Sequence, residues 1–200
     1  MKNIGIFYPG EMGGVLCKKL VKNDFHVFSS VSERSPKTRQ SAIQNGAILK
    51  DTIEDVILSS DIIFSLVPPS RAVSLATEYI NICSSIKKKQ IFIDCNSISP
   101  STVLKIANIL KKDSIDFLDG AFIGSSNLID TKTKLFLCGH RAVEVVKLLK
   151  GTIQISAISS QIGKASELKM CFAGFNKSLI ALFLEFAYAG FKAGNWQDLS

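Results

Sequence analysis

The feature that most constrains this 200-residue chain is an alternation: short continuous apolar runs, rich in Ile, Val and Phe, are separated by longer segments of helical period. A strand that is apolar at every position has no face to give to water. Such strands, joined by helix-length crossovers, build a parallel sheet covered by helices on both sides. The pattern places strands at residues 3–8, 26–29, 47–49, 62–66, 91–94, 116–118, 134–138 and 153–158, with helices at 12–22, 36–45, 52–58, 70–79, 101–111 and 140–149. Pro100 stands where a helix N-terminus tolerates proline. From Gly163 to about Phe191 only isolated glycines interrupt a helical period, and the second half of that stretch is apolar nearly all round. A helix without a polar face needs a cover. The expected class is α/β, a doubly wound, mostly parallel sheet followed by a long C-terminal helix. Residues 1–160 read as one domain and 161–200 as an interdomain helix with the start of a truncated helical domain. The missing cover is expected to be further chain, a second copy packed as a homodimer through this helix, or both.

Composition narrows the class of partner. The formal charge of +7 could attract nucleic acid, a membrane or a small anion. The lysines fall in short groups such as Lys18-Lys19, Lys87-Lys88-Lys89 and Lys111-Lys112, at the polar ends of apolar periods and without interleaved aromatics, which reads as solvated helix surface. Neither a nucleic acid nor a membrane partner is expected. The apolar stretch at 178–191 contains Glu185 and is shorter than a bilayer span requires. Five cysteines occur without a C-x-x-C pair or a histidine at ligand spacing, so reduced thiols, no metal site and a cytoplasmic protein are expected. The chain runs from Met1 directly into a strand, so no secretion signal is expected.

The first strand leads into Tyr8-Pro9-Gly10-Glu11-Met12-Gly13 and then at once into a helix. In the Rossmann-type fingerprint G-x-G-x-x-G, the second glycine lets backbone approach a pyrophosphate and the third lets helix pack on strand, while the helix N-terminus attracts the anion. Gly10 and Gly13 fill those two places and Tyr8 the first. Near the end of the second strand the segment Ser29-Ser30-Val31-Ser32-Glu33-Arg34-Ser35 offers Ser30 and Arg34, with Lys37 and Arg39 close by, to a ribose 2′-phosphate. That favours NADP over NAD, and Glu33 argues the other way. The fourth, fifth and sixth strands run out into Val67-Pro68-Pro69-Ser70, Asp94-Cys95-Asn96-Ser97-Ile98-Ser99-Pro100 and Asp119-Gly120-Ala121-Phe122-Ile123-Gly124-Ser125-Ser126. Three loops therefore meet at the carboxyl edge of the sheet, where open α/β folds bind ligands.

These segments, with Gly163 through Lys169-Met170-Cys171, occur in an order that resembles the β-hydroxyacid dehydrogenases, the group of hydroxyisobutyrate and phosphogluconate dehydrogenases. The resemblance implies hydride transfer between a nicotinamide cofactor and a small β-hydroxy acid or related carbonyl compound. It implies Lys169 as general acid/base, a role that suits a lysine whose pKa is lowered by burial. It also implies cofactor contacts at Tyr8, Pro9, Gly10, Glu11, Met12, Gly13, Ser30, Arg34, Val67, Pro68 and Asn96, and substrate contacts at Ser97, Gly124 and Ser125. The family's asparagine one helical turn after the lysine is Ala173 here; Asn176, two turns on, is the candidate for a shifted anchor. Two alternatives stand beside the enzyme: a truncated dinucleotide-binding module without turnover, and an imine reductase-like enzyme.

Overall fold

The computed structural model describes residues 2–31, 35–111 and 115–199. Eight strands form one sheet: β1 (Asn3–Phe7), β2 (His26–Ser30), β3 (Ile48–Lys50), β4 (Ile62–Ser65), β5 (Ile91–Asp94), β6 (Asp116–Ile123), β7 (Lys134–Cys138) and β8 (Gln154–Ser159). Their spatial order is β3-β2-β1-β4-β5-β6-β7-β8, the doubly wound order for the first six strands with a two-strand extension. All pairs are parallel except β6 with β7. The fold class expected from the sequence is the one observed.

Alternation along the central strands explains the two-sided burial. Ile62 and Phe64 of β4 and Ile91 and Ile93 of β5 enter one core with Leu16, Leu20 and Leu118. Ile63 and Phe92 enter the opposite core with Val56, Leu75, Tyr79, Val103 and Ile106. The covering helices are α1 (Glu11–Lys22), α2 (Pro36–Gln44), α3 (Ile53–Ser59), α4 (Ala72–Ile86), α5 (Pro100–Leu110) and α6 (Ala142–Leu148). Side chains cap three of them. The hydroxyls of Ser35 and Ser99 accept the Thr38 and Thr102 amides, each ahead of a proline at the first helical position, and Thr52 and Asp55 close a capping box on α3.

Two expectations are corrected. Helix α4 runs on to Ile86 rather than stopping near Tyr79, because Ile80 and Cys83 continue its buried stripe, and it ends at Lys87 in the left-handed region, φ 53°. Strand β6 runs to Ile123 rather than ending at Leu118. Its first half pairs in parallel with β5 up to Asp94↔Asp119, and its second half pairs antiparallel with β7 from Asp119↔Cys138 to Ile123↔Lys134. Asp119 is thereby in mid-strand and fully buried, not in a loop.

After β8 comes α7 (Lys164–Ala193), 30 residues or about 45 Å, and a last short turn, α8 (Trp196–Leu199). Only Ala165, Ser166 and Gly190 of α7 are buried, and apolar side chains stand in the open from Phe172 to Phe191, the latter 72% exposed. The helix as a whole is long and apolar enough to cross a bilayer, unlike the shorter stretch read at 178–191. Lys169, Lys177, Glu185 and Lys192 punctuate it about every two turns, so no charge-free run of bilayer length exists within it.

Candidate functional site

The carboxyl ends of the parallel strands open into two clefts, one on each side of the β1–α1 turn. The first, about 310 Å³, is lined by Tyr8, Ser30, Asp51, Thr52, Ile53, Glu54, Arg71, Glu78 and Ile82. The second, about 320 Å³, is lined by Met12, Leu66, Val67, Pro69, Cys95, Asn96, Ser97, Phe122, Gly124 and Lys169. Three loops and the start of α7 thus converge on one cavity, from chain positions more than a hundred residues apart.

Gly10 lies on the turn between the two linings. It is the N-cap of α1, no side chain caps that helix, and a Cβ at this position would meet nothing within 4 Å. The first-turn amides of α1 therefore have no N-cap side chain to accept them, at the positive end of a helix dipole and beside a residue with room around it, an arrangement that fits an anionic diphosphate. Tyr8 shows why the fingerprint prefers glycine at its first place: its φ is 55°, in the left-handed region that costs an L side chain about 1–2 kcal/mol. Gly13 is less demanding than the fingerprint suggests. A Cβ there would make ordinary contacts of 3.4 Å with Ile6 and 3.5 Å with Leu66. Pro9 is buried behind the turn. Glu11 turns its carboxylate to the Ser126 hydroxyl and Lys19 pairs with Asp130, so two contacts tie α1 to the segment after β6.

Asn96 lines the second cleft, yet its side chain is already committed. Its Oδ1 accepts the Val67 amide at 2.7 Å, and its Nδ2 donates to Ser65 Oγ at 3.0 Å and to Asp94 Oδ2 at 2.8 Å. It clamps the exits of β4 and β5 together, and any contact with a ligand would come from its backbone or from the loops it shapes. Asp94, 1% exposed, also accepts the Asn96 amide. Burial pushes its carboxyl up to about 6, against the hydrogen bonds from Asn96, and neighbouring Asp119 raises it further.

Lys169 reaches this acidic floor from the second turn of α7. It is partly buried, and burial lowers its pKa, opposed by Cys95, Asp94 and Asp119. No hydrogen bond or ion pair engages its amine among the described residues. Ser97 stands exposed at the same cleft, and Gly124, φ 125°, is held there because a Cβ would collide with Thr133. A neighbouring depression of about 320 Å³ continues past Phe122, Gly124 and Lys169 to Phe172, Ala173, Asn176 and Lys177. Asn176 sits on it with its amide bonded to the Phe172 carbonyl at 2.9 Å.

Of the other residues expected at the site, Tyr8 and Ser30 line the first cleft and Val67 the second. Pro68 and Ser125 line neither; Ser125 is exposed, its carbonyl accepting the Thr133 hydroxyl at 2.5 Å. Arg34 and Glu33 lie outside the described residues. Sequence reasoning had given no role to Asp94, Cys95, Arg71 or the buried Asp119; the one available signal was an aspartate inside the otherwise apolar run 117–123. No group of three or more His, Cys, Asp or Glu is placed to hold a metal ion among the described residues.

Known proteins are similar to this chain in sequence and in fold. The chain is 32% identical over 98% of its length to an uncharacterized 28.5 kDa protein of Methanothermus fervidus, covering 74% of it. It is 25% identical to the 3-hydroxyisobutyrate dehydrogenase of Pseudomonas aeruginosa over 71% of its own length, but spans only 47% of that enzyme. Among solved structures, a conserved protein of unknown function, described as similar to 3-hydroxyacid dehydrogenases, superposes with a TM-score of 0.80 at 28% identity, over 98% of this chain and 72% of that one. An imine reductase from Myxococcus stipitatus in complex with NADP+ shares the fold, with a TM-score of 0.83 at 19% identity, over 98% of this chain and 68% of that one. Residues 3–162 match the NAD binding domain of 6-phosphogluconate dehydrogenase, and the chain belongs to that family.

Proposed function

We propose that this chain is the catalytic half of an NAD(P)-dependent oxidoreductase that moves a hydride between a nicotinamide and a small β-hydroxy acid or related carbonyl compound. The observation that carries the reading is the placement of a partly buried, unpaired lysine, Lys169, in one cleft with Ser97 and Gly124, beside an uncapped helix N-terminus. The dinucleotide supplies the hydride acceptor in oxidation and the donor in reduction. The chain's own part is proton handling and placement. As the substrate carbon gives up its hydride, neutral Lys169 takes the hydroxyl proton; in reduction the ammonium returns it to the new alkoxide. Desolvation favours the neutral amine and the nearby carboxyls favour the ammonium, so opposing influences set the balance between its two forms.

Residues 1–160 then form the dinucleotide-binding unit and 161–200 the helix that carries the lysine and begins a second unit. The exposed apolar length of α7 supports cover by a second copy of the chain, a homodimer, rather than by nucleic acid or a membrane. A cytoplasmic setting is consistent with five free thiols. The preference for NADP is assigned to Arg34 with Ser30. Among the described residues the first cleft carries one guanidinium, Arg71, against the carboxylates Asp51, Glu54 and Glu78. Arg34→Ala should weaken NADPH at least about tenfold more than NADH, and equal losses would refute the assignment.

One observation favours a second reading. The chain spans less than half of the curated dehydrogenase, and the depression beside Lys169 is open along α7, which supports a module that binds the dinucleotide without turnover. Calorimetric titration with NADPH, followed by assay with NADP+ and a panel of β-hydroxy acids beginning with 3-hydroxyisobutyrate, separates the two. Tight binding with no reduction of NADP+ by any of the panel would remove the hydroxy acid dehydrogenase reading.

A further inference from the structure

Asp119 takes no proton in the chemistry above, yet it is the most completely engaged carboxylate of the described chain. It is fully buried in mid-strand on β6. Its Oδ2 accepts the amides of Gly163, Ala165 and Ser166 at 3.0, 3.1 and 3.1 Å, and its Oδ1 accepts the Ser166 hydroxyl at 2.6 Å. These amides belong to the N-cap and first turn of α7, and the N-cap, Gly163, has no side chain with which to satisfy them. A strand residue more than forty positions away does so instead, placing a negative charge at the positive end of the helix dipole.

The consequence follows from how little else holds α7. Beyond its first turn the helix buries only Gly190. The apolar part of the seat is small, with Ala165 nested against Ala121, Cys138 and Phe136. Gly163, at φ 99°, leads into the helix from the left-handed region, and a Cβ there would meet only Pro100, at 3.9 Å, so the sterics of the joint do not fix the direction of α7. Lys169 lies one helical turn past Ser166, about 4.5 Å along the axis, and a rigid helix carries any shift of its first turn to the amine. The same strand that bears Asp119 continues to Phe122, which lines the cleft, and leads directly into Gly124.

We propose that Asp119 is a positioning residue: by pinning the first turn of α7 to β6 it fixes where the Lys169 amine stands relative to the cleft wall that Phe122 and Gly124 provide. The proposal rests on Lys169 being the acid/base group, and its test reads the amine separately from turnover. Asp119 also faces Asp94 across the β5–β6 pairing, and these two, with Cys95, are the titratable groups set against Lys169. Removing the Asp119 charge therefore lowers the lysine pKa further, as loss of any nearby negative charge does.

The experiment is competitive acetylation of the folded chain with acetic anhydride across a pH series. The modification of Lys169 is read by peptide mass spectrometry in wild type, Asp119→Asn and Ser166→Ala. With far-UV circular dichroism unchanged, Asp119→Asn should move the midpoint of Lys169 labelling to lower pH. It should also cut kcat about tenfold or more on any substrate the enzyme accepts, while NADPH affinity stays within about twofold. Ser166→Ala, which removes one bond of four, should raise the labelling rate of Lys169 by a smaller factor. Superimposable labelling profiles for Asp119→Asn and wild type would overturn the proposal. Should Asp119→Asn fail to fold, an unchanged profile in Ser166→Ala would overturn it, and a changed one would support it. Lys169→Met with undiminished turnover would sink the acid/base reading by a different measurement.

Discussion

Two helix N-termini at the same edge of the sheet make an instructive pair. Both α1 and α7 begin at a glycine, Gly10 and Gly163, and neither glycine can cap its helix with a side chain. At α1 no side chain caps the amides, and a Cβ on Gly10 would touch nothing. At α7 the amides are closed by Asp119. One local feature thus leaves an open helix end in the first case and a sealed joint in the second. A carboxylate delivered by another element makes the difference, and the contrast matches the proposed roles, binding at the open end and placement of Lys169 at the closed one.

Four measurements would break or sharpen that contrast. The largest effect is expected at the closed end. Lys169→Met should reduce turnover by about 10²–10⁴-fold while leaving the dissociation constant for NADPH unchanged, since a general acid/base contributes to the chemical step. If stopped-flow assays showed the rate retained, the closed end would carry no chemistry. Next comes the open end. Gly10→Asp should weaken NADPH about a hundredfold in calorimetry without lowering the melting temperature, because the new side chain enters empty space and sets a negative charge where the diphosphate belongs. A matched fall in thermal stability would mean that Gly10 serves the fold instead.

The third measurement tests the crowding of negative charge beneath the lysine. Asp94 has its pKa raised to about 6 by burial, so its contribution to stability is present below the unfolded value of about 4 and is lost as pH rises through about 6. In Asp94→Asn this pH-dependent loss disappears. Relative to wild type the variant should therefore gain on the order of 2 kcal/mol between pH 4 and pH 7.5 in denaturant titrations. A stability difference that does not vary with pH would contradict the assignment. The smallest effect is expected at Gly13→Ala, where the added methyl makes only ordinary contacts with Ile6 and Leu66. Stability should change by less than about 1 kcal/mol, with NADPH binding within about threefold. A larger loss would show that α1 sits closer to the sheet than its contacts indicate.

Much of the architecture was legible beforehand because it depends on local pattern. The central strands are apolar at consecutive positions, and capping residues such as Thr52 and Ser99 act within a few residues of themselves. The failures have a common physical origin. Strand β6 was cut short at an aspartate and a glycine that local propensity assigns to a loop; tertiary pairing with β5 on one side and β7 on the other overrides that propensity. The resemblance places Asn96 at the cofactor, and it does line the second cleft; what the sequence does not reveal is that its side chain also bonds Val67, Ser65 and Asp94 and so joins the exits of β4 and β5.

The sequence by itself determined the doubly wound sheet, the open glycine turn before α1 and the identity of the lysine that enters the second cleft. Periodicity, turn chemistry and motif order are properties of neighbouring residues. Only the tertiary structure decided that Asp94 and Asp119 lie side by side beneath that lysine and that one of them fastens its helix. Contacts between residues 25 and 46 positions apart depend on strand order and register, which no local run of sequence encodes.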